Sequence, residues 1–568
     1  QPRLQHHYPP TSPILRPRPT PTPDISQAPR PPQASPVGNG DNGSGNVATG
    51  TSGSNPGAIE QVNTLAVQQE NEVALGALEE SFTQEYSRYF NLGSSRKQLS
   101  LAETRQILGN IEASTGVRSA IVYVSFINSQ LPAQAANNHN PHQNPSQGRI
   151  VGVATPLENQ NTSNLAANLA ADSVNQSNKS DQANHQTTTA NLATSISAES
   201  SGSSTGNLED TETANNRDSQ LEIILVTAQG EMIRQRIPES NRALVLRIAQ
   251  EFRSQTTNIR NPDAFLNSSQ QLYNWFIAPI DGELQRRGVE NLVFIMDGGM
   301  RSLPLAALHD GEKFIIERYS IGMTPSLSLT STAYRDLRNS QVLAMGAATF
   351  PDQEPLPAVP TELAVIATQL WRGSYFLNGD FTMNNLRNQV KQRDLGIIHL
   401  ATHASFLSGD ASKSFIQLWD SRLGLDQLRG MGWHNPQVDL LVLSACQTAI
   451  GDRQAELGFA GVAVQSGVRS AIASLWQVSD EGTLGLMTKF YSILKQSPIK
   501  AEALRQAQLA MQRGEVKIMN GELVTGVGVA SPSENQRFPL PPELANFKEQ
   551  DFTHPYYWSA FTMIGSPW

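Results

Sequence analysis

The chain has 568 residues, and its 42 Lys and Arg against 51 Asp and Glu leave a formal net charge of −9 at pH 7. This balance argues against a nucleic-acid-binding protein, which needs a basic face to contact phosphates. The single cysteine, Cys446, excludes an internal disulfide and a zinc site built from several thiolates. No apolar run reaches the ~18 residues of a membrane-spanning helix, so we predict no membrane span.

The sequence leaves the compartment of the protein open. Met232 is the first methionine, so we expect residue 1 either to follow a removed segment or to begin a fragment. No charged-then-apolar targeting segment opens the chain. A cytoplasmic location and export after removal of an N-terminal signal are both compatible with a lone cysteine.

Two segments have compositions that predict disorder. Residues 1–57 form a tail that is rich in proline at first, with 12 prolines in residues 1–37, and then rich in Gly and Ser. Residues 131–218 form an insertion dominated by Asn, Gln, Ser and Thr. Such segments cannot bury enough apolar area to offset the entropy of ordering.

A small α+β domain is predicted from residues 58–130 together with 219–260. Apolar residues recur at helical spacing in its first part, and alternating or β-branched runs follow. The predicted elements are a helix with the apolar stripe Val73, Leu75, Leu78, Phe82, Tyr86, Tyr89 and Phe90, a helix over 100–114 that starts with the capping-box pair Ser100 and Glu103, a strand over 120–126, and a hairpin of 221–227 with 232–237.

The largest folded unit is predicted over residues 262–568. Its apolar runs are short and nearly continuous, which is typical of strands buried on both faces of a mostly parallel sheet. The predicted strands are 292–296, 314–321, 342–346, 395–400, 415–419, 440–444 and 470–476, and the predicted helices are 361–370, 457–465, 483–494 and 499–513. This alternation indicates an α/β sandwich.

Two predicted strands end in residues that can carry out nucleophilic chemistry. One strand runs into His403 and the other into Cys446. The functional sites of open α/β sheets lie beyond the carboxyl ends of the strands. A thiol becomes a good nucleophile at neutral pH when a histidine lies within hydrogen-bonding distance. If these strands are adjacent and parallel, His403 and Cys446 meet at one edge of the sheet.

Each of these residues also has a purely structural interpretation. A single cysteine after an apolar strand is often a small core residue, and a lone histidine at a strand end can be structural. His399, which lies inside its strand, is interpreted as a buried packing residue.

Four ordered blocks of sequence resemble the CHAT domain, a family of the caspase-like cysteine peptidases. These blocks are His399–His403, Leu443–Ala449, Ser474–Asp480 and His554–Phe561, and weaker matches lie around Met296–Leu308 and Leu356–Leu363. The resemblance implies a caspase-like three-layer α/β/α sandwich over residues 262–568. Residues 58–130 and 219–240 also look like the segment that precedes this domain in bacterial, especially cyanobacterial, members.

The resemblance implies a cysteine endopeptidase, and we predict no cofactor and no metal ligands for it, although the sequence does not define whether a metal activates it. Cys446 would be the nucleophile, His403 the general acid and base, and the backbone N–H groups of Ala404 and Cys446 the oxyanion donors. The substrate would be a protein or peptide. The family usually has glycine where this chain has Ala404, and an alanine there would cost about 1 kcal/mol if the position needed a positive φ.

Asp480 is a candidate substrate-binding residue. It follows a Leu-Trp strand end, as in separases, and we hypothesise that it faces a basic P1 side chain, either alone or together with Glu481. The alternative is that Asp480 caps the helix that follows, where an acid suits the positive end of the helix dipole. Asp452, Arg453 and Glu456, which follow Cys446, are interpreted as a solvated helix start.

The sequence also suggests how the protein could be regulated and which functions compete with that of a peptidase. The insertion is a candidate for regulation by cleavage at Arg149, Lys179 or Arg217, and a regulatory protein partner is an alternative. The rival to a peptidase is a catalytically weak or inactive caspase-like scaffold that recruits partners, which Ala404 favours. A small-molecule hydrolase is disfavoured because no Gly-x-Ser-x-Gly motif surrounds a plausible serine.

Overall fold

The computed structural model describes residues 56–93, 97–128, 219–448, 452–526, 536–545 and 549–568. The predicted disordered tail, apart from residues 56 and 57, and the predicted insertion 131–218 lie outside these ranges, as do the candidate cleavage residues Arg149, Lys179 and Arg217. Among the described helices, none combines the length and the hydrophobicity that crossing a membrane requires.

The helices alternate with strands along most of the described chain. The α-helices are α1 Pro56–Tyr89, α2 Leu101–Thr115, α3 Arg242–Thr256, α4 Leu266–Phe276, α5 Ala278–Arg286, α6 Val359–Ala364, α7 Met383–Gln392, α8 Arg453–Ala460, α9 Val462–Ser466, α10 Asp480–Leu494, α11 Lys500–Gln512 and α12 Pro555–Trp558. A π-helical segment, Val365–Leu370, continues α6. Short 3-10 helices are Leu305–Ala307, Ile315–Glu317, Asn378–Asp380 and Leu425–Met431.

The strands form one large sheet and one small sheet. Those of the large sheet are β1 Ser119–Asn128, β2 Ser219–Thr227, β3 Ile233–Asn241, β4 Asn291–Met296, β5 Ser320–Met323, β6 Gln341–Gly346, β7 Gly373–Leu377, β8 Leu395–Phe406, β9 Phe415–Gln417, β10 Arg422–Gly424, β11 Leu440–Thr448, β12 Ser470–Ser474 and β17 Phe561–Gly565. Those of the small sheet are β13 Val516–Met519, β14 Glu522–Thr525, β15 Arg537–Pro539 and β16 Glu549–Asp551.

The large sheet is mixed but mostly parallel. Its order is β10-β9-β8-β11-β12-β17-β5-β4-β1-β2-β3, and β6 pairs with both β7 and β8. The pairs β6–β7, β6–β8, β8–β11, β11–β12, β17–β5, β5–β4 and β4–β1 are parallel. This sheet with its flanking helices confirms the predicted α/β sandwich.

Continuous apolar runs explain why the central strands lie inside the molecule. Every residue of β4 is buried, and the first eight residues of β8 are buried as well. A strand that is apolar on both faces is stable only when helices cover both faces, because exposing either face would leave apolar area in water.

The predicted capping box starts α2. Ser100 accepts a hydrogen bond from the backbone N–H of Glu103, and the Glu103 carboxylate accepts one from the backbone N–H of Ser100. Gly116 ends the helix with φ +73°, a left-handed conformation that glycine adopts without a steric penalty.

The apolar stripe of α1 is confirmed, with one exception. Leu75, Phe82, Tyr86 and Phe90 are buried, whereas Val73 is 72% exposed. Leu75 and Phe82 are seven residues apart and Tyr86 lies four further on, so these side chains share one face of the helix. Val73 falls outside that face because its position does not fit the same period.

The two segments that were predicted as a small separate domain extend the large sheet. β1 pairs in parallel with β4, and β2 and β3 continue the sheet beyond β1. Residues 65–568 form one compact unit. The boundary predicted near residue 260 therefore does not divide the sheet, because β1 hydrogen-bonds directly to the next segment. Of residues 1–64, the structure describes only the start of α1.

Two features of the sequence prediction were wrong at the level of single elements. The strand predicted over 314–321 is a 3-10 turn, Ile315–Glu317, followed by the short β5. The small antiparallel sheet was not predicted at all. Its strands have three or four residues each, too few for alternation of polar and apolar residues to stand out.

Candidate active site

The strands that carry the predicted nucleophile and base are direct neighbours. β8 and β11 run parallel, with Ala445 opposite His403 and Cys446 opposite Ala404. The backbones of His403 and Cys446 therefore lie side by side near the carboxyl ends of both strands. The side chain of Cys446 lies outside the described part of the structure.

An irregularity in β8 sets this register. Leu443 pairs with Leu400 but Ala445 pairs with His403, so two residues of β8 lie opposite Ser444 alone. Such a bulge re-aims the side chains that follow it. It separates His399, which is completely buried, from His403, which is half-buried.

The imidazole of His403 is held from one side. Its Nε2 lies 2.8 Å from the backbone carbonyl oxygen of Glu354, and its ring centroid lies 4.7 Å from that of Phe350. Because a carbonyl oxygen only accepts hydrogen bonds, Nε2 is the nitrogen that carries the proton in the neutral ring. Nδ1 is then the basic nitrogen, able to accept a proton from a thiol.

The residues that hold His403 belong to one segment, 347–358, which follows β6 and which we call the strap. The strap is closed by a hydrogen bond from Leu356 N–H to the Ala348 carbonyl (2.8 Å), and Asn378 Oδ1 accepts from Ala348 N–H (2.8 Å). Gly346 precedes it, and a Cβ there would lie 2.4 Å from the Ala401 carbonyl oxygen. Only glycine allows β6 to approach β8 so closely at this point.

The chain beyond the proposed nucleophile is anchored at the start of α8. Asp452 caps this helix by accepting hydrogen bonds from the backbone N–H groups of Gln454 (3.0 Å) and Ala455 (2.8 Å). The side-chain oxygen of Gln454 accepts from Gly409 N–H at 2.7 Å. The loops that follow β8 and β11 are therefore tied to each other.

Residues 266–566 match the family model of the CHAT domain. The match spans both strands, the strap and the helices around them. The chain belongs to the CHAT domain family. No curated protein matches the chain in sequence.

Three solved structures are similar to this chain, all at low identity. The separase–securin complex of Saccharomyces cerevisiae is 9% identical over 52% of this chain and 18% of that chain, with a TM-score of 0.30. The Arg-specific cysteine proteinase gingipain R is 12% identical. The similarity covers 56% of this chain and 74% of the gingipain chain, with a TM-score of 0.31. A chain from the complex of the pro- and mature domains of RgpB from Porphyromonas gingivalis is 11% identical. The similarity covers 57% of this chain and 75% of that chain, with a TM-score of 0.31. The chain therefore spans about a fifth of the length of the separase.

Asp480 is the first residue of α10 in the CHAT domain, but it is not the cap. Ser479 is the N-cap, and its hydroxyl accepts from Gly482 N–H at 3.1 Å. The Asp480 carboxyl instead accepts a hydrogen bond from Ala358 N–H, at the end of the strap. Burial raises the pKa of Asp480 to about 8, against the opposing effect of the Ala358 hydrogen bond, and the nearby carboxylates of Glu362 and Glu481 add smaller increases.

His399 belongs to a buried polar cluster rather than to a purely apolar core. Its Nε2 lies 3.0 Å from Glu362 Oε1, and its Nδ1 lies 3.2 Å from the Tyr491 hydroxyl. All three side chains are buried. Burial raises the pKa of Tyr491 well above its ordinary value, so this hydroxyl keeps its proton. The sequence offered a signal for Glu362 only, which lies on a predicted amphipathic helix at a position that would otherwise be apolar.

Two further expectations near the site change with the structure. Glu456 was interpreted as part of a solvated helix start, but it is completely buried and accepts hydrogen bonds from Gly299 N–H (2.7 Å) and the Ser302 hydroxyl. Ala404 lies within the extended backbone of β8, between β11 and β9. An extended position does not need the left-handed conformation of glycine, so the alanine carries no φ penalty here.

Across the described ranges, no group of three or more His, Cys, Asp and Glu side chains is arranged to hold a metal ion. The charged groups near the site serve other contacts, as described for Asp480 and Asp452.

Proposed function

We propose that this CHAT protein is a cysteine endopeptidase that uses Cys446 as nucleophile and His403 as general acid and base. The observation that supports the proposal is that β8 and β11 are adjacent and parallel, which brings the backbones of His403 and Cys446 to neighbouring positions, one residue out of register, at the same edge of the sheet. Nε2 of His403 is engaged with the Glu354 carbonyl, and this leaves Nδ1 as the atom that exchanges protons with the sulfur.

The chemistry is acyl transfer to sulfur followed by hydrolysis. His403 takes the thiol proton, and the Cys446 thiolate attacks the carbonyl carbon of the scissile peptide bond. His403 then donates that proton to the leaving amine as the C–N bond breaks. A water molecule, deprotonated by His403, attacks the thioester, and release of the carboxyl product returns the proton to the thiol.

The tetrahedral intermediates carry a negative oxygen that backbone N–H groups would stabilise. We assign this role to the N–H groups of Ala404 and Cys446. Ala404 is paired on both sides, with Cys446 of β11 and Ile416 of β9. Its N–H therefore becomes a donor only if the substrate carbonyl displaces a ladder partner.

We also propose that Asp480 takes part in recognition of a basic P1 side chain. It lies just beyond β12, which neighbours β11, so it belongs to the same edge of the sheet as Cys446. A guanidinium or ammonium group close to Asp480 would stabilise its ionised form and return its raised pKa toward the ordinary value. The similarity to an Arg-specific proteinase is compatible with this preference.

The proposal is tested by labelling the protein with a peptidyl acyloxymethyl ketone, which alkylates an activated active-site thiol. We expect labelling of the native protein, none of Cys446→Ala and strongly reduced labelling of His403→Ala. His434→Ala, which removes an exposed histidine, is the matched control and should label normally. Comparing Arg-, Lys- and Asp-P1 peptides then tests Asp480. Unlabelled native protein, or labelling that His403→Ala leaves unchanged, would favour the scaffold function instead.

A further inference from the structure

Helix α1 lies before the residues that match the CHAT domain, yet its last turns contact the segment that follows the proposed nucleophile. We infer that Glu85 on α1 is a positioning residue, which fixes the chain downstream of Cys446 by holding Arg453 at the start of α8. The inference rests on the proposed function for the role of Cys446, but its test does not require peptidase activity.

Glu85 and Arg453 form an ion pair that contains two hydrogen bonds. Glu85 Oε1 accepts from Nη2 of Arg453 at 2.8 Å and from Nε at 3.1 Å. The second carboxylate oxygen, Oε2, accepts from Nη2 of Arg301. One carboxylate therefore joins two arginines that come from different parts of the sequence, and such forked pairs restrict orientation as well as distance.

Arg301 fixes this carboxylate to the core. Its side chain is 1% exposed, its Nε donates to the Met296 carbonyl at 2.8 Å, and its guanidinium lies 5.0 Å from the centroid of the Tyr86 ring. Burial raises the pKa of Glu85, but the ion pairs with Arg301 and Arg453 outweigh this effect and leave its pKa below the ordinary value. Glu85 is therefore ionised at neutral pH and held on a rigid support.

A second set of contacts continues along the same face. A Cβ at Gly461, at the end of α8, would lie 2.2 Å from Cε2 of Phe90, and one at Gly458 would lie 3.3 Å from the Tyr89 hydroxyl. These glycines let the end of α1 pack directly on the backbone of α8. The ion pair is thus part of a close interface and not an isolated surface contact.

The position of Arg453 explains why this interface bears on catalysis. β11 ends at Thr448 and α8 begins at Arg453, so the chain has few residues in which to absorb a shift of the helix. Upstream, Cys446 is held by its pairing with β8. Downstream, the Glu85–Arg453 pair holds the first residue of α8, beside the contacts that Gln454 makes with Gly409 and Glu456 makes with Gly299.

The test uses the fact that Cys446 is the only cysteine, so alkylation of the intact protein by iodoacetamide reports on this thiol alone. The variants are Glu85→Gln and Arg453→Met. The matched control is Glu80→Gln, which removes the charge of an exposed side chain on α1 that accepts a hydrogen bond from Gln84. We expect both variants, but not the control, to slow alkylation at pH 7 and to move its pH profile upward, because the thiol is less well coupled to His403.

Peptide cleavage gives a second readout. A displacement of the nucleophile by ~1 Å costs up to about 100-fold in rate, so we expect kcat to fall about 10- to 100-fold with little change in KM. The double variant should be no slower than Glu85→Gln alone, because Arg453→Met then removes only a contact that Glu85→Gln has already weakened. Glu85→Asp, which keeps the charge, should recover part of the rate.

The possible results distinguish a failure of the positioning role of Glu85 from a failure of the proposed peptidase function. Opposite shifts of the alkylation profile in Glu85→Gln and Arg453→Met would show a charge effect and overturn a positioning role, as would profiles identical to that of the native protein. If native protein is alkylated but never cleaves peptides, the proposed function fails and the alkylation comparison still decides the inference. If Glu85→Gln does not fold, Arg453→Met decides, since its side chain is 60% exposed and its loss leaves the core intact.

Discussion

The ring nitrogen Nε2 of His403 lies 2.8 Å from the backbone carbonyl oxygen of Glu354. This contact defines which imidazole nitrogen faces the strap and which is free for a thiol. The same strap donates Ala358 N–H to Asp480. The proposed base and the proposed specificity residue are therefore connected through one loop, and changes in that loop should affect both.

Phe350→Ala removes the aromatic face that lies 4.7 Å from the His403 ring. Aromatic pairs contribute about 0.5–1.5 kcal/mol beyond their area, so we expect kcat/KM to fall about tenfold, equivalent to ~1.4 kcal/mol. Steady-state kinetics on a fluorogenic peptide measure the change. Tyr375→Ala, an aromatic that is 43% exposed on strand β7, is the control and should behave as native protein. Equal activity of the two variants would show that Phe350 does not orient His403.

Asp480 should give activity toward basic substrates a distinct pH dependence. Its pKa is raised to about 8 by burial, so the carboxyl is mostly protonated at pH 7 and becomes ionised as the pH passes through 8. We expect kcat/KM for an Arg-P1 peptide to rise over that range relative to a peptide with an uncharged P1 residue. The ratio of the two peptides cancels the ionisation of Cys446 and His403. Asp480→Asn should abolish both the preference and its pH dependence; an unchanged ratio would remove Asp480 from the substrate site.

The same carboxyl predicts how stability changes with pH. A carboxyl with a raised folded pKa binds a proton in the folded state that the unfolded chain has already lost, so stability falls as pH rises from the ordinary pKa of Asp, 3.8, to about 8. Asp480→Asn cannot ionise. We therefore expect thermal melting of the variant to depend less on pH over this window and its melting temperature to exceed that of native protein at pH 8 to 9. A native protein at least as stable as the variant there would contradict the raised pKa.

The buried pair of His399 and Glu362, with atoms 3.0 Å apart, should be sensitive to loss of one partner. Glu362→Ala leaves the buried His399 without its carboxylate partner, and a buried polar group that loses its hydrogen-bond partner costs about 1–3 kcal/mol. Tyr491→Phe removes a single hydroxyl contact and should cost about 1–2 kcal/mol. Urea titration of both variants measures the free energy of unfolding. Asp336→Ala, at an exposed ion pair with Arg338, is the control. Equal stability of all three variants would show that the cluster does not stabilise the fold.

Gly346 should not tolerate a side chain. A Cβ there meets the Ala401 carbonyl oxygen at 2.4 Å, and backbone cannot move aside without disturbing the pairing of β6 with β8. We expect Gly346→Ala to lower the free energy of unfolding by about 1–3 kcal/mol and to lower activity by moving the strap. Gly430→Ala is the control, because nothing lies within 4 Å of its added Cβ. A Gly346→Ala protein that matches this control in stability and activity would contradict the role of the close approach.

The sequence predicted those features that depend on local pattern. The runs around residues 292–296 and 440–444 are strands because continuous apolar residues require burial on both faces. Ser100 and Glu103 start α2 because a capping box satisfies backbone N–H groups within the segment itself. The predicted hairpin is likewise present as β2 and β3.

What depends on long-range contact could not be predicted. Glu456 is a polar residue in an acidic stretch of sequence, and only the tertiary structure places Gly299 and Ser302 against it. The strap has no periodic pattern, so its contacts with His403 and Asp480 could not be predicted from the sequence. The extension of the sheet by β1 depends on a strand pairing across more than 160 residues.

The amino-acid sequence by itself therefore determined the α/β character of the chain, the order of its central strands along the sequence, and the two residue types proposed for catalysis. Only the tertiary structure decided that β8 and β11 are neighbours, that Glu354 and Phe350 hold the imidazole, and that Glu85 of α1 reaches Arg453. The physical reason is the distance along the sequence over which each kind of interaction acts. Hydrophobic periodicity and capping act between residues a few positions apart, whereas the site is assembled by hydrogen bonds and ion pairs between segments that come together only when the core is packed.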